Sequence, residues 1–561
     1  MNAAPRVSPQ LTSLFLALTF VLIAAFDVFA YLRPDLFSED GSWHFFYKVI
    51  YFIGEAPKVY ALLGAGIVLV LVLAWWRRAW VQTRLLLLLQ VLCGLWLLFL
   101  SLFALVHFIN IDELEAIQTT WKMAQGARPY TDFFQHHHPL LWYQSLPAMW
   151  LLGPSETVFY ALRLVQLLYL LGILALSYRL VRQGGGDRET GYVAVLVLAT
   201  AYIFTSVGVE IRPDIAQTFF CLLGYTLLLR YLAGGSIRLL VAGGASMAAG
   251  FLFLQKALFM LFPMGLAILY LLATRRLTWR DIFVFAGGFV LPVLLFLAYY
   301  LLTGQGETYL VFAWIVNFFK TAETRLYVEF VDALVWNPYI WVSILLTLPY
   351  MVLRFRHLSL EVKMTWFVGA VLLFIVLLNP RAWRQYYFPA FPLLVVPAAF
   401  MVIDLTRHWR AHIRLTMYVL LAASAFPIYA IDFQYTRHNQ YILGALRDSA
   451  QATDTYAFDE MLVHNVFRRD LHYFWYTTQP GGMMDAYHAF AAGDAAPWFD
   501  KARYDDFDFC TLVERYAPEA VYGRAESPHQ VMDCPAVAHH YEVDPRDTLL
   551  YRRVAAIPVT D

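Results

Sequence analysis

Apolar runs of about 20 residues recur along almost the whole chain, and this repetition limits the fold more than any other feature. Leu11–Leu32, Val59–Trp76, Leu85–Phe108 and Ile282–Leu302 each reach or approach the roughly 20 apolar residues that carry a helix across a bilayer. Only 15% of the 561 residues are charged and 60% are hydrophobic, against about 25% charged in an ordinary soluble domain. A soluble globular fold is therefore excluded, and the expected fold is mostly α: a polytopic membrane protein of about 13 transmembrane helices by the 20-residue criterion. The first run is too long for a signal-peptide core and has no small-residue cleavage site after it, so it is expected to remain as an anchor.

Short basic loops mark the cytoplasmic side of a membrane protein. Here they are Arg77-Arg78 with Arg84, Arg179 with Arg182 and Arg188, Arg230 with Arg238, Arg275-Arg276 with Arg280, Arg354-Arg356 with Lys363, and Arg407-Arg410 with Arg414. Placing all six inside puts the N-terminus in the cytoplasm and the tail after Tyr429 outside. The division this suggests is an N-terminal transmembrane pair (1–84), a transmembrane module with outer loops (85–432) and an extracytoplasmic C-terminal domain (433–561). From Phe433 onward there are 19 Asp plus Glu and 11 Lys plus Arg; the tail is acidic and the membrane part correspondingly basic. Short apolar stretches between Pro, Gly and Asp turns give the tail the pattern of a compact α+β module. Cys510 and Cys534 lie in it and are able to pair if it faces an oxidising compartment, whereas Cys93 and Cys221 sit in apolar runs as core residues.

The same partition puts the unusual polar clusters on the outer face. Asp112 and Glu113 follow an apolar helix directly, at the membrane surface, where carboxylates serve as bases or bind a cation; a solvated first helical turn would also favour them. "GARPYTDFFQHHHP" brings Tyr130, Asp132 and His136-His137-His138 to the same side. Three adjacent histidines cannot converge on one metal from a helix, because helical ligand pairs need a spacing of three or four. One or two of them beside a phosphate is the better reading. "EIRPD" adds Glu210, Arg212 and Asp214, charges that are costly between spans unless they line an aqueous site or lock two helices. Lys256 is a lone ammonium in a turn between apolar runs, a phosphate ligand or an interfacial anchor. "NPRAWRQYYFPAFP" supplies Arg381, Arg384 and Tyr387, and arginine clusters suit bidentate phosphate binding.

The order of these motifs resembles the GT-C glycosyltransferases, particularly the branch with protein O-mannosyltransferases and lipid A aminoarabinose transferases. "DELEAIQTTWKMAQGARPYTDFFQHHHPLL" looks like that branch's first external loop, "EIRPD" like its second acidic loop, "QKA" like the third, and "WRQYYFPAFPLL" like the late loop entering a Pro-containing helix. The likeness runs from about Phe108 to Phe400. Two spans precede the helix that leads to Asp112, and His138 stands where the family often has Lys before Pro. The resemblance implies inverting transfer of one sugar from a polyprenyl-phosphate donor. Asp112 would be the general base, with Glu113 as the alternative. His137 or His138, Lys256, Arg381, Arg384 and Tyr387 would face the donor phosphate. Tyr130, Asp132, Glu210, Arg212 and Asp214 would orient groups or bind the acceptor. The implied partners are the polyprenyl-phosphate sugar, a lipid, glycan or protein acceptor and the bilayer of the inner (plasma) membrane, with no nucleic acid. Glu210 or Asp214 would alternatively hold a divalent cation, because carboxylates and waters hold Mg2+ or Ca2+ without a spacing signature. The rival readings are a polytopic transporter or flippase of a lipid-linked glycan, and a ligase or polymerase of whole oligosaccharides.

Overall fold

The computed structural model describes residues 17–18, 21, 57–320, 338–379, 383–429, 435–451, 456–459, 462–475, 483–504, 508–523, 531–545 and 547–554. It is dominated by helices, and the five β-strands described are all in the tail. Among the described residues six helices are long and apolar enough to cross a membrane: Arg78–Val106, Glu156–Gln183, Pro213–Leu232, Trp279–Leu302, Leu360–Leu378 and Arg384–Thr406. The pair Arg188–Ala199 and Tyr202–Val209, bent by 72°, makes a seventh if taken as one broken span. The expectation of about 13 spans is thus met only in part by length and composition. Four further apolar helices, Ala61–Trp76, Arg238–Phe253, Ala257–Ala273 and Ala411–Phe426, are shorter, and the run Leu11–Leu32 lies essentially outside the described residues.

Rows of large apolar side chains remain exposed along these helices, for example Leu87, Val91, Leu95, Leu98 and Leu102 on one, and Leu291, Leu294, Leu295 and Leu302 on another. An apolar surface of that extent is lipid-facing. Where helices meet each other, small residues let the backbones approach. A Cβ at Gly244 would lie 2.1 Å from the Phe285 carbonyl, and one at Gly288 would lie 2.5 Å from the Val241 carbonyl. Arg238–Phe253 and Trp279–Leu302 therefore pack more closely than any larger residue there would allow.

The break at Thr200-Ala201 redirects the chain towards Glu210. Bending frees the Ala199 carbonyl, which in lipid must find another donor; Trp96 Nε1 (2.7 Å) and the Tyr429 hydroxyl (3.1 Å) supply it. The redirected helix Tyr202–Val209 ends at Glu210.

In the tail, β1 (Tyr456–Asp459), β2 (Arg469–Asp470), β3 (Ala520–Tyr522), β4 (Tyr541–Asp544) and β5 (Asp547–Arg553) form one sheet in the order β2-β1-β3-β5-β4. β1 runs parallel to β2 and β3, while β5 is antiparallel to β3 and β4. Phe458 faces Val521 across the strands, and both join Phe509, Val513 and Val537 of the flanking helices in one apolar cluster. Cys510 and Cys534 are disulfide-bonded within it. A second cluster is shared between the tail and the segments that link the long helices, with Leu446, Val466, Phe474 and Tyr487 packed among Leu114, Ile117, Phe134 and Phe312.

Candidate functional site

The helix Ile111–Ala124 starts on a capping box. The Asn110 side chain accepts from the Asp112 N–H (3.2 Å), and Glu113 Oε2 accepts from the Asn110 N–H (3.1 Å). Successive helical residues point about 100° apart, so the two neighbouring carboxylates part company. Glu113 turns inward and is fully buried; it accepts from Arg163 Nε (2.8 Å), Arg163 Nη2 (2.6 Å) and the Ile211 N–H (3.0 Å). Asp112 turns outward with its side chain 41% exposed, and its Oδ2 is 2.6 Å from Arg212 Nη1.

Arg212 N-caps the helix Pro213–Leu232, where Pro213 begins without needing the N–H it lacks. Its guanidinium is buried among three carboxylates: Asp112, Glu210 Oε2 at 3.0 Å from Nη1, and Asp214 Oδ2 at 3.6 Å from Nε. Glu210 is fully buried and joins the second half of the site. Its Oε1 lies 3.1 Å from Arg384 Nη2 and 3.4 Å from His107 Nε2. Burial opposes ionisation of Glu210, but the His107, Arg384 and Arg212 contacts outweigh it and hold its carboxyl far below the usual carboxylate range. Burial likewise opposes the Arg212 charge, and the Asp112, Glu210 and Asp214 carboxylates raise its pKa regardless.

Asp214 leads from this network into a small, partly open cavity lined by Gln217, Lys256, Phe259, Gln385 and Tyr386 among others. Lys256 Nζ sits over the Tyr386 ring, 4.2 Å from its centroid. Burial would lower the Lys256 pKa, but Tyr386 and Asp214 raise it above the ordinary lysine value.

The three histidines lie in a loop before the helix Leu140–Leu152 and separate by direction. His138 is buried and turned away, its Nδ1 2.7 Å from the Phe251 carbonyl and its Nε2 3.0 Å from the Tyr309 hydroxyl. The His136 and His137 rings lie 3.9 Å apart, and Nδ1 of each is buried without a hydrogen-bond partner among the described residues. Burial first, then the neighbouring charges Lys320 and Lys256, depress the pKa of His136; burial, then His136 and Lys256, depress that of His137. Both rings are therefore neutral at pH 7 and offer N–H donors, not charge.

Several residues expected at the site have other employment. Glu113 is saturated by Arg163 and Ile211, and His138 by Phe251 and Tyr309, so neither faces an incoming substrate. Tyr130 is buried with φ +65° and donates to the His137 carbonyl, shaping the loop. Asp132 pairs with Arg128 (3.0 Å) on an exposed turn. Tyr387 is buried against Trp341. Arg381 lies outside the described residues. Among the described residues no group of three or more His, Cys, Asp or Glu could hold a metal ion. Asp112, Glu210 and Asp214 do not fit a divalent cation, because the Arg212 guanidinium sits between them.

Three participants escaped the motif reading: His107, Arg163 and Lys320. Arg163 carried a signal, a charge inside an apolar run. Gln255 ties the histidine loop down, donating to the His136 carbonyl (2.7 Å) and accepting from the His138 N–H (3.3 Å).

Residues 138–300 match the family model of dolichyl-phosphate-mannose-protein mannosyltransferases. The fold is similar to that of ArnT from Cupriavidus metallidurans bound to undecaprenyl phosphate, with a TM-score of 0.62 and 13% identity over 83% of this chain and 98% of that one. This chain has the GT-C glycosyltransferase fold. The apo state of the same ArnT aligns with a TM-score of 0.56 at 13% identity, over 79% of this chain and 93% of that one. No curated protein sequence matches. The GT-C resemblance read from the loop motifs is thereby shown at the level of the fold. Within the GT-C frame the matched segment begins at His138 and contains "EIRPD" and Lys256, but not Asp112 or Arg384.

Proposed function

We propose that this chain moves a single sugar from a polyprenyl-phosphate-linked donor to an acceptor hydroxyl, with inversion, on the outer face of the membrane. The observation that carries the reading is the division of labour among the carboxylates. Glu113 and Glu210 are sealed in ion pairs and Asp214 is nearly buried, whereas Asp112 is 41% exposed, and its Oδ1 forms no hydrogen bond among the described residues. That oxygen is free to take the proton of an acceptor hydroxyl as the hydroxyl oxygen bonds to the anomeric carbon. The bond from that carbon to the phosphate oxygen breaks at the same time, and the lipid phosphate leaves with the electron pair. Lys256 and Arg384 supply positive charge where it develops, and the unpartnered His137 ring supplies an N–H donor. Arg212 fixes the Asp112 carboxylate by its other oxygen. The undecaprenyl phosphate held by ArnT supports a lipid phosphate of this class as the leaving group.

In this reading the shorter apolar helices and the helix Pro338–Arg354 also cross the bilayer, giving about 13 spans with the N-terminal run. The N-terminus is cytoplasmic, 1–84 precedes the catalytic module 85–432, and 433–561 is a domain on the Asp112 side. The packing of the tail against the helix that bears Asp112 supports that side. The acceptor is a lipid, glycan or protein hydroxyl.

The test is transfer of labelled sugar from a panel of polyprenyl-phosphate monosaccharides into membrane acceptors. Asp112→Asn should lower kcat by about 10²- to 10⁴-fold, the range for a general base, while donor binding persists. Wild-type protein that consumes no donor, or an Asp112→Asn variant as active as wild type, refutes the proposal.

A further inference from the structure

The helix that starts with Asp112 ends in a charge that the transfer chemistry does not use. Lys122 is buried: its Nζ pairs with Asp470 of the tail, lies 3.4 Å from the Trp475 ring centroid and 4.8 Å from that of Phe133. One turn earlier, on the same face, Gln118 is fully buried and donates to the Asn465 carbonyl (2.8 Å) and to Asp470 Oδ1 (2.9 Å). Asn465 Nδ2 donates to the same oxygen (2.8 Å).

Three to five residues beyond Asp470, the same tail segment has crossed to the histidine loop. The Phe134 N–H donates to the Tyr473 carbonyl (2.9 Å), Trp475 Nε1 donates to the Phe134 carbonyl (2.9 Å), and the Tyr473 hydroxyl donates to the Tyr130 carbonyl (2.7 Å). Phe134 stands three residues before His137, and Tyr130 itself donates to the His137 carbonyl. One stretch of the tail thus holds both the base-bearing helix and the loop that carries the neutral histidines. Between these two holds the outer loop turns through Gly126 (φ +91°) and Tyr130 (φ +65°).

A buried ion pair is a poor device for stability alone, since its desolvation cost approaches or exceeds its attraction and apolar residues of the same volume often do as well. Burial lowers Lys122 to about 8 and raises Asp470, which places that cost on both partners. What the pair adds is direction: a charged, hydrogen-bonded contact has one geometry, whereas an apolar contact tolerates slippage.

We propose that the tail segment Asn465–Trp475 is a positioning clamp that sets the helix carrying Asp112 and the loop carrying His137 in catalytic register, with Lys122, Gln118, Asp470 and Trp475 as positioning residues. This rests on the transferase reading for its kinetic consequence, and on geometry alone for its structural one. The displacement of a base by about 1 Å costs on the order of 100-fold in rate.

The experiment compares full-length wild type, Asp470→Asn, and the apolar double variant Lys122→Met with Asp470→Leu, all in detergent or nanodiscs. It measures amide hydrogen exchange over residues 127–138, thermal unfolding, and the kcat and donor KM of transfer. The expected result is faster exchange over 127–138 in both variants, with kcat down about 10- to 100-fold and donor KM changed less than kcat. In the double variant thermal stability should recover while kcat does not. Unchanged exchange over 127–138 overturns the clamp whether or not any donor is turned over, and so does a kcat that returns with thermal stability in the double variant. A wild type that transfers no sugar refutes the transferase reading, while the exchange result still decides the clamp.

Discussion

Arg163→Met should be among the most destabilising single substitutions in this protein, and its cost can be worked from the contacts. The Arg163 guanidinium is buried and makes five hydrogen bonds. Two go to Glu113, and three go to the carbonyls of Ala104 (2.9 Å), His107 (3.0 Å) and Phe108 (3.0 Å). Those carbonyls lie at the end of the helix Arg78–Val106, where no further turn supplies N–H groups. Methionine fills much of the volume but removes every donor. It strands Glu113 as a buried charge, a loss of about 3–5 kcal/mol for a broken buried pair, and leaves carbonyls at about 1–3 kcal/mol each where no other donor reaches them. Relaxation and the Asn439 side chain, which also donates to the His107 carbonyl (3.1 Å), make the sum less than additive. A net loss of about 4 kcal/mol or more is expected. The assay is thermal or denaturant unfolding of the purified protein for wild type, Arg163→Met, Glu113→Gln and the double variant. Because the double variant no longer buries an unpaired charge, it should be more stable than Arg163→Met alone, with a coupling of about 1–3 kcal/mol. An Arg163→Met protein within about 0.5 kcal/mol of wild type, or a double variant less stable than the single one, refutes the reasoning.

Two further expectations follow from the histidine loop and the cavity. Burial pushes His138 from the ordinary histidine value of 6.5 to about 4, so the unfolded chain binds a proton that the folded chain refuses. Stability should therefore fall as pH drops from about 6.5 towards 4, and His138→Asn should show a shallower decline between pH 7 and pH 5 in thermal unfolding; equal slopes would contradict this. Lys256→Met should weaken binding of a polyprenyl phosphate by roughly 10- to 100-fold, the worth of one charge-assisted contact, as read by titration, whereas equal affinity would remove Lys256 from the phosphate site.

Much of this arrangement is legible in the sequence, and the limits have physical causes. Apolar runs and basic loops reveal the membrane helices because lipid and translocation act on local composition. The loop motifs lead to the GT-C fold because they cluster on one side in a fixed order. Span counting fares less well where the chain turns sharply. Around Gln255-Lys256 apolar residues continue almost without interruption, yet the helices Arg238–Phe253 and Ala257–Ala273 stop at 16 and 17 residues, and the bend at Thr200 is concealed within a smooth apolar run. Partner choice is hidden for a different reason. Glu113 meets Arg163 across 50 residues, Arg384 meets Glu210 across 174, and Gln118 meets Asp470 across 352; such pairings are set by how helices and tail pack, which no local pattern encodes.

The adjacent carboxylates at 112 and 113 show where that limit matters for function. As residue types they are equivalent candidates for a base, and the sequence leaves both open. A helix separates neighbours by about 100°, so packing one face of Ile111–Ala124 against Arg163 commits Glu113 to the interior and leaves Asp112 at the rim. The commitment is mutual, because the same Glu113 carboxylate accepts the Ile211 N–H and so holds the strand-like stretch that delivers Arg212 to Asp112. Glu113 therefore contributes to the site as an anchor: it fixes the distance between Arg212 and Asp112 without being reachable by substrate. In the proposed mechanism the motif's second acid is therefore as necessary as its first, and for a reason that accessibility, and not acidity, decides.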